Sequence, residues 1–400
     1  MLNVDEAQEI ILAHTKLSRH VQKGILEASG FALAEEIHAD RDYPPFNRAT
    51  MDGYAILSSD LNDEHIKEFN VTREVFAGMP AGESIVSGNA VKIMTGAMVP
   101  DGADAIIQVE QSIQTGPHVI FDVTEIQAGK NIAQRGEDAK KNDLILSKGH
   151  VIQPYVISML ATLGINKVQV YDSPTVAILS TGDEIVPIDQ PPLTHQIRDS
   201  NHYNLKSSLQ NYWIVPSYYD IVRDTKAELE KAIERGLKED ILIISGGVSM
   251  GDADFVPDVL ASFGVKKLFH KVKIKPGKPL WFGETETGVV FGVPGNPVSC
   301  QVVYKIFIEP YIRKVMGLGD MRRLKLPLAE GHRIKGERTV YFPCKIRNGD
   351  HLSALIPITN NGSGDVTAAI GSDGLAVHPG DLSFLEEGTQ VHFYPWRLLW

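Results

Sequence analysis

Three short polar loops, each following an apolar run, carry the residue types that could hold a phosphate-like anion and a hard cation. Val176–Ser180 leads into Thr181-Gly182-Asp183-Glu184. Ile241–Ile244 leads into Ser245-Gly246-Gly247-Val248-Ser249-Met250-Gly251-Asp252-Ala253-Asp254, with a helix-like segment from Phe255. Val289–Val293 leads into Pro294-Gly295-Asn296-Pro297. Glycines let backbone N–H groups approach an oxyanion closely, and adjacent carboxylates can hold Mg2+ or position a water. Loops at the carboxyl ends of parallel strands are expected to meet in one crevice. Helix capping is the plain alternative for Asp183 and Glu184, but Pro187, Pro191 and Pro192 argue against a helix starting at once. Asp224 precedes a helical segment, where a carboxylate ordinarily serves the helix dipole.

Cations come from Lys271-Val272-Lys273-Ile274-Lys275-Pro276-Gly277-Lys278-Pro279. In a strand Lys271, Lys273 and Lys275 share one face, with Val272 and Ile274 on the other. A lysine-protected edge strand would read the same way. The adjoining turn, with Lys278, favours a polyanion site, because lysine binds phosphate as a point charge. Met51-Asp52-Gly53-Tyr54, Ile93-Met94-Thr95-Gly96 and Gly362-Ser363-Gly364 each read singly as a turn or loop, and Arg135-Gly136-Glu137-Asp138 as solvated surface. The thirteen histidines show no paired metal-ligand spacing, and Cys300 reads as a small core residue.

The elements that must position these groups follow from periodicity. An amphipathic helix over 4–14 opens the chain, and a second begins after Pro154 and stops at Gly164. Residues 45–138 read as an inserted β-rich domain with strands at 71–76, 90–94, 105–109 and 118–123. From 173 to about 320, strands alternate with helices at 201–212 and 225–236 and after Pro297, which predicts a doubly wound α/β domain. Thr225 and Glu228 form a capping-box pattern. Residues 321–400 read as a small C-terminal β domain, and 1–44 with 139–172 as the helical domain into which the β-rich one is inserted. A net charge of −11 argues against general nucleic-acid binding. Two cysteines exclude a disulfide framework. An acidic start, without a signal-type or membrane-length apolar run, predicts a soluble cytoplasmic protein with no membrane partner.

Taken in order, Met51–Tyr54, Met94–Gly96, Gly136–Asp138, Ser180–Glu184, Ser245–Asp254, Lys275–Pro279, Pro294–Ser299 and Gly362–Gly364 resemble the molybdopterin molybdenumtransferase family, which includes MoeA and the E domain of gephyrin-type proteins. The resemblance implies insertion of molybdate into the dithiolene of adenylylated molybdopterin, with AMP release aided by Mg2+. It implies catalytic roles for Asp52, Asp138, Glu184 and Asp254, the metal falling to Glu184, Asp254 and Asp52. It implies substrate contacts from Thr95, Gly246, Gly247, Ser249, Gly251, Lys271, Lys275, Lys278, Pro294, Gly295, Asn296, Pro297 and Ser363. It also implies an elongated homodimer, with 1–44 and 139–172 as the linking and dimerisation domain, 321–400 barrel-like, and a cleft that joins the β-rich insertion of one subunit to the α/β domain of the other. A molybdopterin adenylyltransferase and molybdoenzyme chaperones are the further partners it implies. Two segments depart from the family pattern: Phe46-Asn47-Arg48-Ala49-Thr50 before Met51, and Ala133-Gln134-Arg135 before Gly136. The competing readings are an adenylyltransferase of the same pathway and a scaffold that binds the pterin without turnover.

Overall fold

The computed structural model describes residues 1–16, 19–63, 65–248, 255–321, 323–349, 353–359 and 361–396. The chain divides into two compact units, one comprising 1–34, 149–154 and 167–400, the other 35–148 and 155–166.

A six-stranded sheet centres the first unit. Its spatial order is Tyr218–Val222, Val176–Thr181, Ile241–Ser245, Val289–Val293, Trp281–Glu284, Lys266–His270. The first four strands are parallel. Every residue of Val176–Thr181, Ile241–Ser245 and Val289–Val293 is buried, as expected for strands covered on both faces. The last two strands run antiparallel, a departure from the simple parallel expectation. Its cause is connection length: no helix lies between His270 and Trp281 or between Glu284 and Val289, and a parallel return needs a crossover of a dozen or more residues.

Helices Asn201–Gln210, Lys226–Gly236 and Val256–Ser262 pack beside this sheet. Thr225 stands at the N-cap, yet its hydroxyl makes no cap hydrogen bond. The expected capping box with Glu228 therefore does not form, and Glu228 is left with its favourable place at the positive helix end. The helix from Pro297 runs to Val303, widens into a π turn over Tyr304–Ile308 and resumes over Glu309–Val315. Pro310 has no N–H to offer the Ile306 carbonyl, and Gln8 Nε2 donates to that oxygen instead, at 2.7 Å.

The expected Lys271–Lys275 strand is broken at Lys271, whose φ of +75° lies in the left-handed region. The alternation survives in burial, since Val272 and Ile274 are buried while Lys273 and Lys275 are exposed. Ile274–Lys275 then pairs, parallel, with Thr339 and Val340 of the C-terminal sheet. That sheet continues through Gly374–His378 and Gln390–Pro395 to Leu324–Pro327, with Ala354–Pro357 also on Thr339–Arg347. Phe342, Cys344, Leu355, Ala376 and Phe393 fill its core.

The second unit has its own six-stranded sheet, ordered Ala105–Gln108, Gly53–Ile56, Asn89–Ile93, Phe69–Val75, His118–Phe121, Ser112–Thr115. Its core includes Ala55, Val75, Val91, Ile93 and Ile106. Among the described residues, no helix is long and apolar enough to cross a membrane.

Candidate functional site

Register brings the three strand-end loops together. Ser180 lies opposite Ser245, and Ser245 opposite Val293, so the chain leaves three adjacent strands at one level. Gly246 N donates to Val293 O at 3.1 Å. Gly246 has φ +94°, and a Cβ there would lie 2.5 Å from the Thr181 carbonyl oxygen. At Gly247, with φ +59°, a Cβ would lie 2.8 Å from Thr181 Oγ1. Both positions therefore need glycine for close backbone packing.

Asn201 binds two of these loops, donating from Nδ2 to Ser245 Oγ and to Gly295 O, each at 2.8 Å. Asp199 braces the same corner: Oδ1 accepts from His202 N at 3.1 Å and Oδ2 from Tyr219 Oη at 2.7 Å. Both residues escaped sequence reasoning, because Asp and Asn before a helix read as ordinary caps. Ser180 Oγ, Thr181 Oγ1 and Asn201 Oδ1 are buried without a hydrogen-bond partner among the described residues. Buried polar atoms left open in this way point to a ligand or water.

Asp183 and Glu184 are exposed beside Gly182, where a Cβ would lie 2.5 Å from Glu184 Oε2. Ser249, Gly251 and Asp254 lie outside the described residues. No group of three or more His, Cys, Asp or Glu residues that could hold a metal ion occurs among the described residues. Mg2+ commonly takes only one or two protein carboxylates alongside substrate phosphates, so hard oxygen donors at Asp183, Glu184 and the open Thr181 hydroxyl fit that ion chemically.

Next to the Pro294–Pro297 loop lies a cavity of about 690 Å³. Lys275 and Lys278 line one part, with Pro294, Asn296 and Ser299; Arg333, Lys335 and Arg338 come from the C-terminal domain. These are five cationic side chains against one lining carboxylate, Asp365. None of the five has a carboxylate ion-pair partner among the described residues. Asp365 is committed to the chain: Oδ1 accepts from Thr367 Oγ1 and Ala368 N, and Oδ2 from Asn361 N. The Thr367 hydroxyl chiefly holds its carboxyl below the usual range. Asn296 Nδ2 donates to Ser363 Oγ at 2.9 Å, joining the two loops at the rim. Lys271 and Pro297 do not line this cavity. The three basic groups from the C-terminal domain gave no sequence signal, because scattered Lys and Arg in a small β domain read as solvated surface.

In the second unit, the Gly53–Ile93 pairing sets Asp52 beside Thr95. Asp52 Oδ1 accepts from Thr95 N at 2.7 Å and Thr95 Oγ1 at 2.6 Å. The hydroxyl first, then the amide, hold its carboxyl below the usual range. Asp138 is exposed, with its backbone N–H donating to Tyr43 O, while Arg135 pairs with Asp42 at 2.7 Å. Cys300 is a core residue, and burial pushes its thiol up to about 12.

His332 also lines the cavity, stacked on Phe342 with ring centroids 3.7 Å apart. Behind it, His378 Nε2 lies 2.9 Å from Leu382 O, which can only accept, so that nitrogen carries the proton. His378 Nδ1 therefore accepts from His332 Nδ1–H at 2.8 Å, leaving His332 Nε2 with its lone pair open. Burial, then His378, push the His332 imidazole down to about 4; burial lowers His378 as well. The unfolded chain, with ordinary histidines, binds more protons than the folded chain between about pH 6.5 and about 4. This stabilising contribution is complete above about pH 6.5 and is lost as pH falls through that window. Calorimetry at stepped pH is expected to show the C-terminal domain's melting midpoint falling there; a flat midpoint would contradict the assigned neutral pair.

Fold and site define a multidomain α/β protein with a cavity lined by cationic side chains between its α/β and C-terminal β domains. The chain belongs to the MoeA molybdopterin molybdenumtransferase family. "MoeA N-terminal region (domain I and II)" matches residues 2–164, "Probable molybdopterin binding domain" 177–314, and "MoeA C-terminal region (domain IV)" 325–396. A molybdopterin molybdenumtransferase of Haemophilus influenzae is 38% identical over 79% of this chain and 78% of its own. One from Staphylococcus epidermidis is 31% identical over 98% of this chain and 94% of its own. A crystal structure of the molybdopterin biosynthesis MoeA protein from Pyrococcus horikoshii covers 98% of this chain and 99% of its own, with TM-score 0.85 and 29% identity.

Proposed function

We propose that this chain is a transferase that inserts molybdate into adenylylated molybdopterin and releases AMP, the last step of molybdenum cofactor biosynthesis. The observation that carries the reading is the 690 Å³ cavity with five cationic side chains lacking carboxylate ion-pair partners among the described residues. An acidic protein that keeps five cations together against one carboxylate, itself committed to its own loop, favours an anion there. The volume suits a ligand of cofactor size. Lys275, Lys278 and Arg338 would hold molybdate or phosphate oxygens, and the tight turn at Gly246, whose own N–H is held by Val293 O, would leave the Gly247 N–H for the nucleotide phosphate. Asp183 or Glu184 would hold Mg2+, which when bound supplies positive charge to the phosphate being released. Asp254, assigned by resemblance alone, completes that set.

The reading includes a cytoplasmic homodimer in which Asp52, Thr95 and Asp138 of one copy serve the site of its partner. It also includes receipt of substrate from a molybdopterin adenylyltransferase and delivery to molybdoenzyme chaperones. AMP release from adenylylated molybdopterin is expected to require both Mg2+ and molybdate. AMP formed at the same rate without molybdate would overturn the reading. Asp52→Ala and Lys275→Ala copies, each impaired alone at limiting molybdate, are expected to regain activity on mixing; no regain would remove the shared-site part only.

A further inference from the structure

The cavity contains one imidazole among its cations, and the hydrogen bonds behind it settle where its protons lie. Leu382 O fixes the proton on His378 Nε2, His378 Nδ1 accepts from His332 Nδ1, and His332 Nε2 is left as an acceptor without a partner among the described residues, in a wall of the cavity. Stacking on Phe342 holds the ring plane. The other basic groups of the wall, Lys275, Lys278, Arg333, Lys335 and Arg338, are ammonium and guanidinium donors that offer no acceptor atom. Asp365, the lining carboxylate, is engaged by three donors from its own loop and helix.

We propose that His332 is the proton carrier of this cavity: its Nε2 takes a proton from a substrate S–H as that sulfur bonds to molybdenum, and returns it to the oxide that leaves. This rests on the molybdate-insertion reading above. The step balances without any oxidant. Two S–H bonds and one metal–oxygen bond break, two metal–sulfur bonds form, and the two protons leave with one oxide as a single water. Molybdenum stays hexavalent throughout.

The charges around the ring explain why it would act only with substrate in place. Arg333 adjoins it in sequence, Lys335 and Arg338 follow, Lys275 and Lys278 line the cavity with it, and His378 lies behind with Asp381 nearby. Burial, then His378 behind the ring, keep His332 neutral in the free chain. A bound dianion offsets the cations and raises the ring's proton affinity towards the working pH, where a general base is most effective.

The test uses the full chain. At saturating molybdate, His332→Gln is expected to slow single-turnover AMP release about 100-fold, the range of a lost general acid–base group, with molybdate affinity within about threefold of wild type. His332→Ala is expected to be equally slow and to recover with added imidazole, provided its melting midpoint and circular dichroism match wild type. By proton NMR, the His332 ring signal, identified by its loss in His332→Gln, is expected to titrate at higher pH once molybdate is added. A His332→Gln rate within twofold of wild type, or a titration unmoved by molybdate, would overturn the proton role and leave the function reading intact. Wild-type AMP release indifferent to molybdate would overturn both.

Discussion

Lys275→Ala is expected to raise the molybdate concentration for half-maximal AMP release by about 10- to 100-fold. A hydrogen bond to a charged group contributes about 1.5–3 kcal/mol, and each 1.4 kcal/mol is a factor of ten. Lys275 lines the cavity and has no carboxylate ion-pair partner among the described residues, so its removal should act on the ligand and hardly on the fold. Lys273 is the matched control: it is exposed and two residues away, yet it does not line the cavity. Initial rates of AMP release against molybdate, measured at two salt concentrations, decide the matter. Raised salt should weaken wild type more than Lys275→Ala, since the variant has one fewer cation to screen. Equal effects of Lys273→Ala and Lys275→Ala would place the anion elsewhere.

Lys305→Met is expected to destabilise the α/β domain by about 3–5 kcal/mol, the cost of leaving a buried charge without its partner. Lys305 Nζ lies 2.8 Å from Glu309 Oε2, and both side chains are 5% exposed. The contact lies off hydrogen-bond geometry, so its attraction is mainly coulombic. Tyr212 Oη donates to Glu309 Oε1 at 2.7 Å, while the buried Tyr304 Oη has no hydrogen-bond partner among the described residues. Removing the ammonium leaves an ionised carboxylate among aromatic rings. The melting midpoint should fall on the order of 10 °C. Adding Glu309→Gln, which keeps the acceptor for Tyr212 and removes the charge, should recover most of the loss. A single variant that melts within a degree of wild type would show that the pair contributes nothing.

Much of the α/β domain was legible in the sequence because fully buried strands read as unbroken apolar runs, and glycine with aspartate marks where such runs end. Val176–Ser180, Ile241–Ile244 and Val289–Val293 are of that kind. The antiparallel edge at Trp281 and Lys266 was not, since run composition alone does not give strand direction; the short connections do. Lysine spacing correctly anticipated the burial of Val272 and Ile274 but not the left-handed Lys271 that splits the strand. Asp52 and Thr95 each looked like an ordinary turn, and only the antiparallel register of Gly53 with Ile93 makes them a pair. The basic half of the cavity wall was invisible for a different reason. Arg333, Lys335 and Arg338 stand in a short strand and turns, where charged residues commonly face water. His332 became informative only through His378, 46 residues away.

The pairing of Lys275 with Val340 makes the carboxyl-terminal fifth of the chain a buttress for the cationic turn as well as a source of its own arginines. Excising everything beyond Gly319 would thus unmoor Lys275, even though its codon is retained. Fragments truncated there should bind oxyanions more weakly than the loss of Arg333, Lys335 and Arg338 by point substitution predicts. Swapping tails between relatives should likewise succeed only where the incoming strand can accept Ile274 and Lys275 as its parallel neighbour.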